Sequence, residues 1–269
     1  MGSSFQYNIL AGFRAVDALQ QTLVQNVQGL LLPGYNRQRR QIGSTGGSTH
    51  GGGQQATQTR GGANPVGGGG DALTLGRTTL EFDQGTIDPA FNPASLAIRG
   101  PGFFLLAEND RPGAKVFLTR NGDFRYDAQG RLINANGLFV VGGAGRVTLD
   151  ADGRLVGPPP FVRNPGDGTV SLPTVSLAKV ADPSQLTISG YGATTYALND
   201  ATGPLRVFPN GRQPEVGFIQ ANSIEMPDRI GWAAIFQAEA YTATQTYKIF
   251  KDMLTEFNKT DDDAIGLVK

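Results

Sequence analysis

Two apolar stripes of helical spacing sit at opposite ends of the 269-residue chain, and they constrain the fold more than any other feature. In the first, over residues 5–32, Ile9, Val16, Leu23 and Leu30 share one heptad position, while Phe13, Gln20 and Val27 share the other. In the second, over 228–258, Phe236, Ala243, Phe250 and Phe257 share one position, and Ala240, Tyr247 and Leu254 the other. Trp232 extends this stripe toward the N-terminus, and Asp228 after Pro227 is placed to cap it. Pro33-Gly34 stops the first helix, and Asp261-Asp262-Asp263 is expected as a polar tail beyond the second. An amphipathic helix is stable chiefly when its apolar stripe is covered, so these two pair with each other, with neighbouring copies of the chain, or both. Because both lie outside the rest of the fold, the stripes are expected to form an assembly interface. Its residues are Ile9, Phe13, Val16, Leu23, Val27, Leu30, Phe236, Ala240, Ala243, Tyr247, Phe250, Leu254 and Phe257. The small side chains at 240 and 243 permit close helix approach.

The first helix is followed by a basic cluster, Arg37, Arg39 and Arg40, expected on a solvated or intersubunit face. Residues 43–70 then hold 12 glycines in 28 positions, with Arg60 the only full charge. Such a segment buries too little to offset its ordering entropy and reads as a flexible loop. It lacks the strand-to-helix glycine patterns that cradle phosphates. Residues 73–217 alternate short apolar runs with turn signals, the signature of a β-rich domain. The runs are 96–98, 103–106, 116–118, 138–141 and 147–149. Asn121-Gly122, Asn136-Gly137 and Asn210-Gly211 read as tight hairpin turns. Asp127–Leu132 and Asp150–Leu155 repeat one Asp-to-Gly loop pattern, each expected to lead into a strand. Four segments follow: an N-terminal helix over 1–42, a glycine-rich loop over 43–72, a β-rich domain over 73–217 and a C-terminal helix over 218–269. The fold class is α+β, a β-rich central domain flanked by coiled-coil-like helices.

Composition removes most chemistry. The chain has no cysteine, which excludes disulfides and thiol catalysis, and a single histidine, His50, inside the glycine-rich loop. Lys+Arg and Asp+Glu are both 23, so a strongly basic nucleic-acid binder is not expected. Asp150-Ala-Asp152-Gly153 fails as a calcium loop because its twelfth position is Phe161 rather than Glu. Glu81, Asp83 and Asp88 form no recognisable acid–base group. No enzyme activity, cofactor, metal or small-molecule substrate is expected. No stretch is long and apolar enough for a membrane helix, and no cleavable signal pattern opens the chain.

The order of these elements, and three motifs in sequence, resemble the bacterial flagellar rod and hook proteins. Leu96-Ala-Ile-Arg-Gly100-Pro-Gly102-Phe103-Phe104 is similar to the family's L-A-I-x-G-x-G-F-F run. Phe117-Leu-Thr119-Arg120-Asn121-Gly122-Asp123-Phe124 resembles its Y-T-R-x-G-x-F run, and Asp127-Ala-Gln-Gly130-Arg131-Leu132 its D-x-x-G-x-L run. Weaker matches are Gln84-Gly85 with Asn92-Pro93, and Gly217–Ser223 leading into the second helix. At the end of the first helix Asn26, Gly34 and Tyr35 keep the family's pattern, while its other asparagine and its threonine are replaced. The resemblance implies a basal-body rod subunit, because the length leaves little room for the outer domains of a long hook protein. It further implies a helical homopolymer whose terminal helices pair in the assembled tube, contacts with other rod and hook proteins, and torque transmission. Export by the flagellar type III apparatus without a cleaved signal and a place in the basal body follow from the same resemblance. The competing reading from the residues is a surface adhesin, which would need an exposed aromatic platform; the phenylalanines on offer, Phe103, Phe104, Phe117, Phe124 and Phe139, stand in a strand context that suggests core.

Overall fold

The structure, a computed structural model, describes residues 2–44, 73–142, 147, 149–150, 153–166, 169–171, 174–208 and 212–266. His50, nearly all of the glycine-rich loop and the Asn210-Gly211 dipeptide lie outside the described residues. Helix α1 spans Gly2–Gly29 and helix α2 spans Arg229–Gly266. The chain divides into two compact units. One comprises Met1–Leu23, Arg40–Thr78 and Ile235–Lys269; the other comprises Val24–Arg39 and Thr79–Ala234.

In the first unit, α1 packs against α2. The Phe13 ring meets Tyr247 edge-on at 5.3 Å between centroids and lies tilted against Phe250 at 5.9 Å. The helix α2 passes through Asp261–Asp263 instead of ending before them, because no glycine or proline interrupts it until Gly266. At the other terminus Asp228 caps α2 as expected, accepting from the Gly231 amide at 3.0 Å. A two-stranded ribbon of Arg37–Ser44 and Leu73–Glu81 flanks the glycine-rich segment, and Arg40 Nε donates to Thr78 Oγ1 at 3.2 Å.

The second unit is built on the run Phe103-Phe-Leu-Leu-Ala, a strand buried along its whole length. Alternate side chains of a strand point to opposite faces. Phe104 and Leu106 enter one apolar cluster, with Leu96, Phe124, Leu138 and Leu177; Phe103, Leu105 and Ala107 enter another, with Leu118, Val180 and Tyr196. A continuous apolar run rather than an alternating one is what a strand covered on both faces requires. The strand Phe103–Ala107 pairs antiparallel with Val116–Thr119 on one side, and with Phe139–Val140 and Leu177–Lys179 on the other. The sheet continues outward through Gly192–Ala197 and Thr187–Ser189 on the first side, and through Leu132–Ile133 and Arg125–Tyr126 on the second. Leu96–Arg99 pairs instead with Gly217–Ala221, and Thr86–Pro89 with Ser223–Met226.

The repeated Asp-to-Gly loops are matched. Asp127 N and Gly130 N bond the carbonyls of Arg131 and Asp127, and Asp150 N and Gly153 N bond those of Arg154 and Asp150. The first joins two strands; the second is flanked by an isolated bridge between Leu149 and Leu155. Asn136-Gly137 closes the turn between Leu132–Ile133 and Phe139–Val140 with Gly137 at φ 79°. Asn121-Gly122, in contrast, is not a hairpin turn. The strands flanking it do not pair with each other, and Gly122 has no positive φ. Its glycine is needed for space: its carbonyl accepts from the Leu96 amide at 2.9 Å, and a Cβ there would overlap the Leu96 carbonyl oxygen.

Gly122→Ala should therefore lower the unfolding free energy by about 1–3 kcal/mol or more. Gly157→Ala, where a Cβ meets nothing within 4 Å, should change it by less than about 0.5 kcal/mol. Urea denaturation of both variants reads the difference. At Asp127, burial raises the carboxyl pKa, but hydrogen bonds from the Arg131 amide and side chain and from the Gln129 amide outweigh it and hold the value below the ordinary one. A lowered folded pKa stabilises the fold above the unfolded pKa of about 3.9, and this is lost as pH falls through the folded value. An NMR titration of the Asp127 carboxyl should accordingly place its midpoint below that of a model peptide.

Candidate functional site

Heptad spacing placed thirteen side chains on one interface, and the fold treats them unequally. Ile9, Val16, Phe236 and Ala243 are buried; Phe13, Leu23, Leu30, Ala240, Phe250, Leu254 and Phe257 are half-buried. Val27 and Tyr247 are exposed, at 48% and 44%. In the first unit the seam closes around Gly12, where a Cβ would come within 2.4 Å of the Phe250 ring. Glycine lets the aromatic seat directly on the α1 backbone. That position is not part of the apolar heptad pattern, and the period alone gives no sign of it.

The root of α1, in the second unit, is held by the residues that keep the family's pattern. Asn26 Oδ1 accepts from the Tyr35 hydroxyl at 3.0 Å and from the Gln38 amide at 2.8 Å, and Asn26 Nδ2 donates to the Gln38 carbonyl at 2.8 Å. The helix ends at Gly29, three residues before the expected stop, because the Tyr35 ring packs where a side chain on Gly29 would be. Burial pushes the Tyr35 phenol above its ordinary pKa against the opposing Gln38 hydrogen bond, so it remains a donor. The Tyr35 ring also meets Trp232, at the start of α2, edge-on at 6.4 Å. Of the basic cluster, Arg37 and Arg39 both pair with Glu81.

A buried ion pair lies below this root. Arg120 and Glu225 are both about 95% buried. Glu225 accepts Arg120 Nε at 3.0 Å on one oxygen and Arg120 Nη2 at 2.9 Å on the other, the two-pronged geometry that suits guanidinium to carboxylate. The second oxygen also accepts Gln84 Nε2 at 2.7 Å and the Gly85 amide at 2.9 Å. Arg120 Nη1 donates to the carbonyls of Gly100 and Gly102. Gln84 is used at both ends, donating again to the Ile98 carbonyl and accepting from the Gly100 amide at 2.8 Å. The Glu225 carbonyl accepts from the Gly34 amide at 2.8 Å. The segment leaving α1, through the Glu225 carbonyl, and the segments of Gln84–Gly85 and Arg120, through its carboxylate, therefore meet at one residue just before α2. Sequence reasoning gave Gln84, Gly100, Gly102 and Arg120 as motif letters but gave no sign of Glu225.

This arrangement contains no nucleophile–base pair. Its chemistry is cohesion. Glu225→Ala should cost about 3–5 kcal/mol, because it strands a buried guanidinium. Replacing the pair together, Arg120→Met with Glu225→Leu, should recover a substantial part of that loss. Thermal unfolding of the single and double variants measures both.

Comparison with known proteins bears on the same region. Residues 97–196 match the family described as the flagellar hook protein FlgE/F/G D1 domain. The flagellar hook protein FlgE of Helicobacter pylori is 43% identical over 65 residues, 24% of this chain and 9% of that protein. FlgE of Brucella abortus is 32% identical over 108 residues, 37% of this chain and 26% of that protein. FlgE of Helicobacter mustelae is 39% identical over 71 residues. The chain thus matches from about a tenth to about a quarter of the length of the first two relatives. The strand Phe103–Ala107 and Arg120 fall inside the residues that match the flagellar hook protein FlgE/F/G D1 domain.

Proposed function

We propose that the chain is a structural subunit of the flagellar basal-body rod, self-assembling with its own copies into a helical tube that transmits torque. The single observation that carries this reading is the helix seam, in which Phe13, Tyr247 and Phe250 pack around Gly12. A chain that pairs its two terminal helices can build a tube wall from them while its β domain stands outside. Torque transmission needs a joint that does not yield, and the Arg120–Glu225 pair supplies one where the segments from both helices meet the β domain. A short connection in the central unit supports rod over long hook: two short strands and two single turns separate Leu177–Lys179 from Arg206–Phe208. Other rod and hook proteins are then its neighbours, and the flagellar export apparatus its route.

The adhesin reading loses its platform. Phe103, Phe104, Phe117 and Phe124 are core residues, and Phe139 is half-buried against Phe161 and beneath Arg131.

Concentrated wild-type protein should form tubes visible by electron microscopy. Phe250→Asp places a charge in the seam. It should abolish the tubes while the β domain keeps its own thermal transition. Tube formation at the wild-type level by this variant, or no tubes from the wild type at any concentration, would overturn the assignment.

A further inference from the structure

A three-stranded sheet in the second unit carries side chains that the fold does not use. Its strands run in the order Arg212–Gln213, Gly217–Ala221 and Leu96–Arg99, each antiparallel to the next. One face belongs to the core: Leu96, Ile98 and Ile219 are buried in the apolar cluster with Phe104. Successive residues of a strand alternate faces, so Phe218, Gln220 and Arg99 stand on the other. All three are exposed, Phe218 by 54%. The register sets Phe218 opposite Arg99 on one neighbouring strand and opposite Arg212 on the other. Residues directly opposed in an antiparallel pair share a face, with Cβ atoms about 4.5–5.5 Å apart. The sheet thus presents the row Arg212, Phe218, Arg99, with Gln220 two residues further along the central strand.

A lone exposed phenylalanine needs no explanation. The guanidinium beside it is the second observation. Among the described residues Arg99 forms no ion pair and lies over no ring. Arg206 shows the ordinary arrangement: it pairs with Glu215 at 3.2 Å and covers the Phe208 ring at 5.2 Å. Beside Phe218 an open ring face and an uncompensated charge stand together.

That combination selects among partners. The planar guanidinium fork takes a carboxylate by two hydrogen bonds. The electron-rich face of an aromatic ring takes polarised C–H groups. An acidic sugar offers both in one molecule, and a side-chain amide such as Gln220 donates to and accepts from its hydroxyls. A single-stranded nucleic acid also stacks on aromatics, but it needs a cationic groove that tracks its backbone. Two arginine positions on an open sheet face, in a chain of zero net charge, do not supply one. An extended peptide needs a sheet edge or a groove, and the free edge here, Arg212–Gln213, is two residues long.

We propose that this face binds acidic oligosaccharides. Phe218 stacks on a sugar ring, Arg99 holds the carboxylate, and Gln220 meets the hydroxyls of the adjoining sugar. The assignment does not depend on the assembly reading.

Titration calorimetry on the full chain tests it with three probes: a galacturonic acid tetramer, the methyl ester of that tetramer, and an oligothymidylate. The acidic tetramer should bind. Its ester keeps the ring faces and hydroxyls but not the charge, and should bind at least about tenfold more weakly. Phe218→Ala and Arg99→Gln should each weaken the acidic tetramer by about tenfold. Both side chains are exposed, so the thermal transition should be retained. Arg163→Gln, which removes an exposed charge elsewhere in the β domain, should leave binding unchanged. No binding of the tetramer, equal binding of its ester, or an equal loss from Arg163→Gln would overturn the proposal. So would tighter binding of the oligothymidylate, which would assign the face to single-stranded nucleic acid.

Discussion

Glu225 and Arg120 set the terms for the second unit. Taking a carboxylate and a guanidinium out of water costs several kcal/mol per ion, and their attraction offsets it only when geometry and hydrogen bonds are complete. Here four hydrogen bonds reach the carboxylate and four leave the guanidinium. The partners come from positions as far as 141 residues apart. No half-made version is tolerable, because any missing partner leaves a charge buried without compensation. The segments that bring Gln84, Gly100, Arg120, Glu225 and Gly34 together are therefore held jointly, and displacing one loosens the rest.

This demand explains glycines that local conformation alone does not. For Arg120 to reach two backbone carbonyls, the Gly100–Gly102 segment must lie against the strand opened by Gly217. Gly100 and Gly217 have φ of 132° and 93°, and a Cβ on either would press into the other's Cα. Both the left-handed backbone and the close approach require glycine at this pair. The G-x-G in Gly100-Pro-Gly102 thus serves the geometry of the ion pair. Such a glycine pattern elsewhere is a phosphate signal, which shows how little a pattern means apart from the groups it brings near.

Features governed by short-range periodicity were legible in the amino-acid order. The strand Phe103–Ala107 announced itself as a continuous apolar run, and the helices by steps of three and four. The ribbon strand Arg37–Ser44 was not legible, because Arg-Gln-Arg-Arg-Gln has no apolar alternation and is ordered by pairing with Leu73–Glu81 across the glycine-rich segment. Asn121-Gly122 misled because the same dipeptide serves a tight turn or a close approach, and only the position of Leu96 decides which. Glu225 was illegible for the strongest reason. It is a lone acid in a short strand, 105 residues from Arg120, and no local pattern encodes a pairing at that range. Of the candidate interface, the stripe could be read but not its partner, since a heptad specifies that a face is covered without specifying which chain covers it.

That last ambiguity has a thermodynamic consequence. Had the two stripes waited for neighbouring copies, each association step would have carried the ordering of two long helices, a cost that coupled folding and binding sets against affinity. With Phe13 seated on Tyr247 and Phe250 within one chain, much of that ordering belongs to folding. In the tube proposed above, each contact between copies can then be weak and still add up, because it repeats with every subunit. For the proposed assembly, equal numbers of acidic and basic residues keep long-range repulsion between copies low.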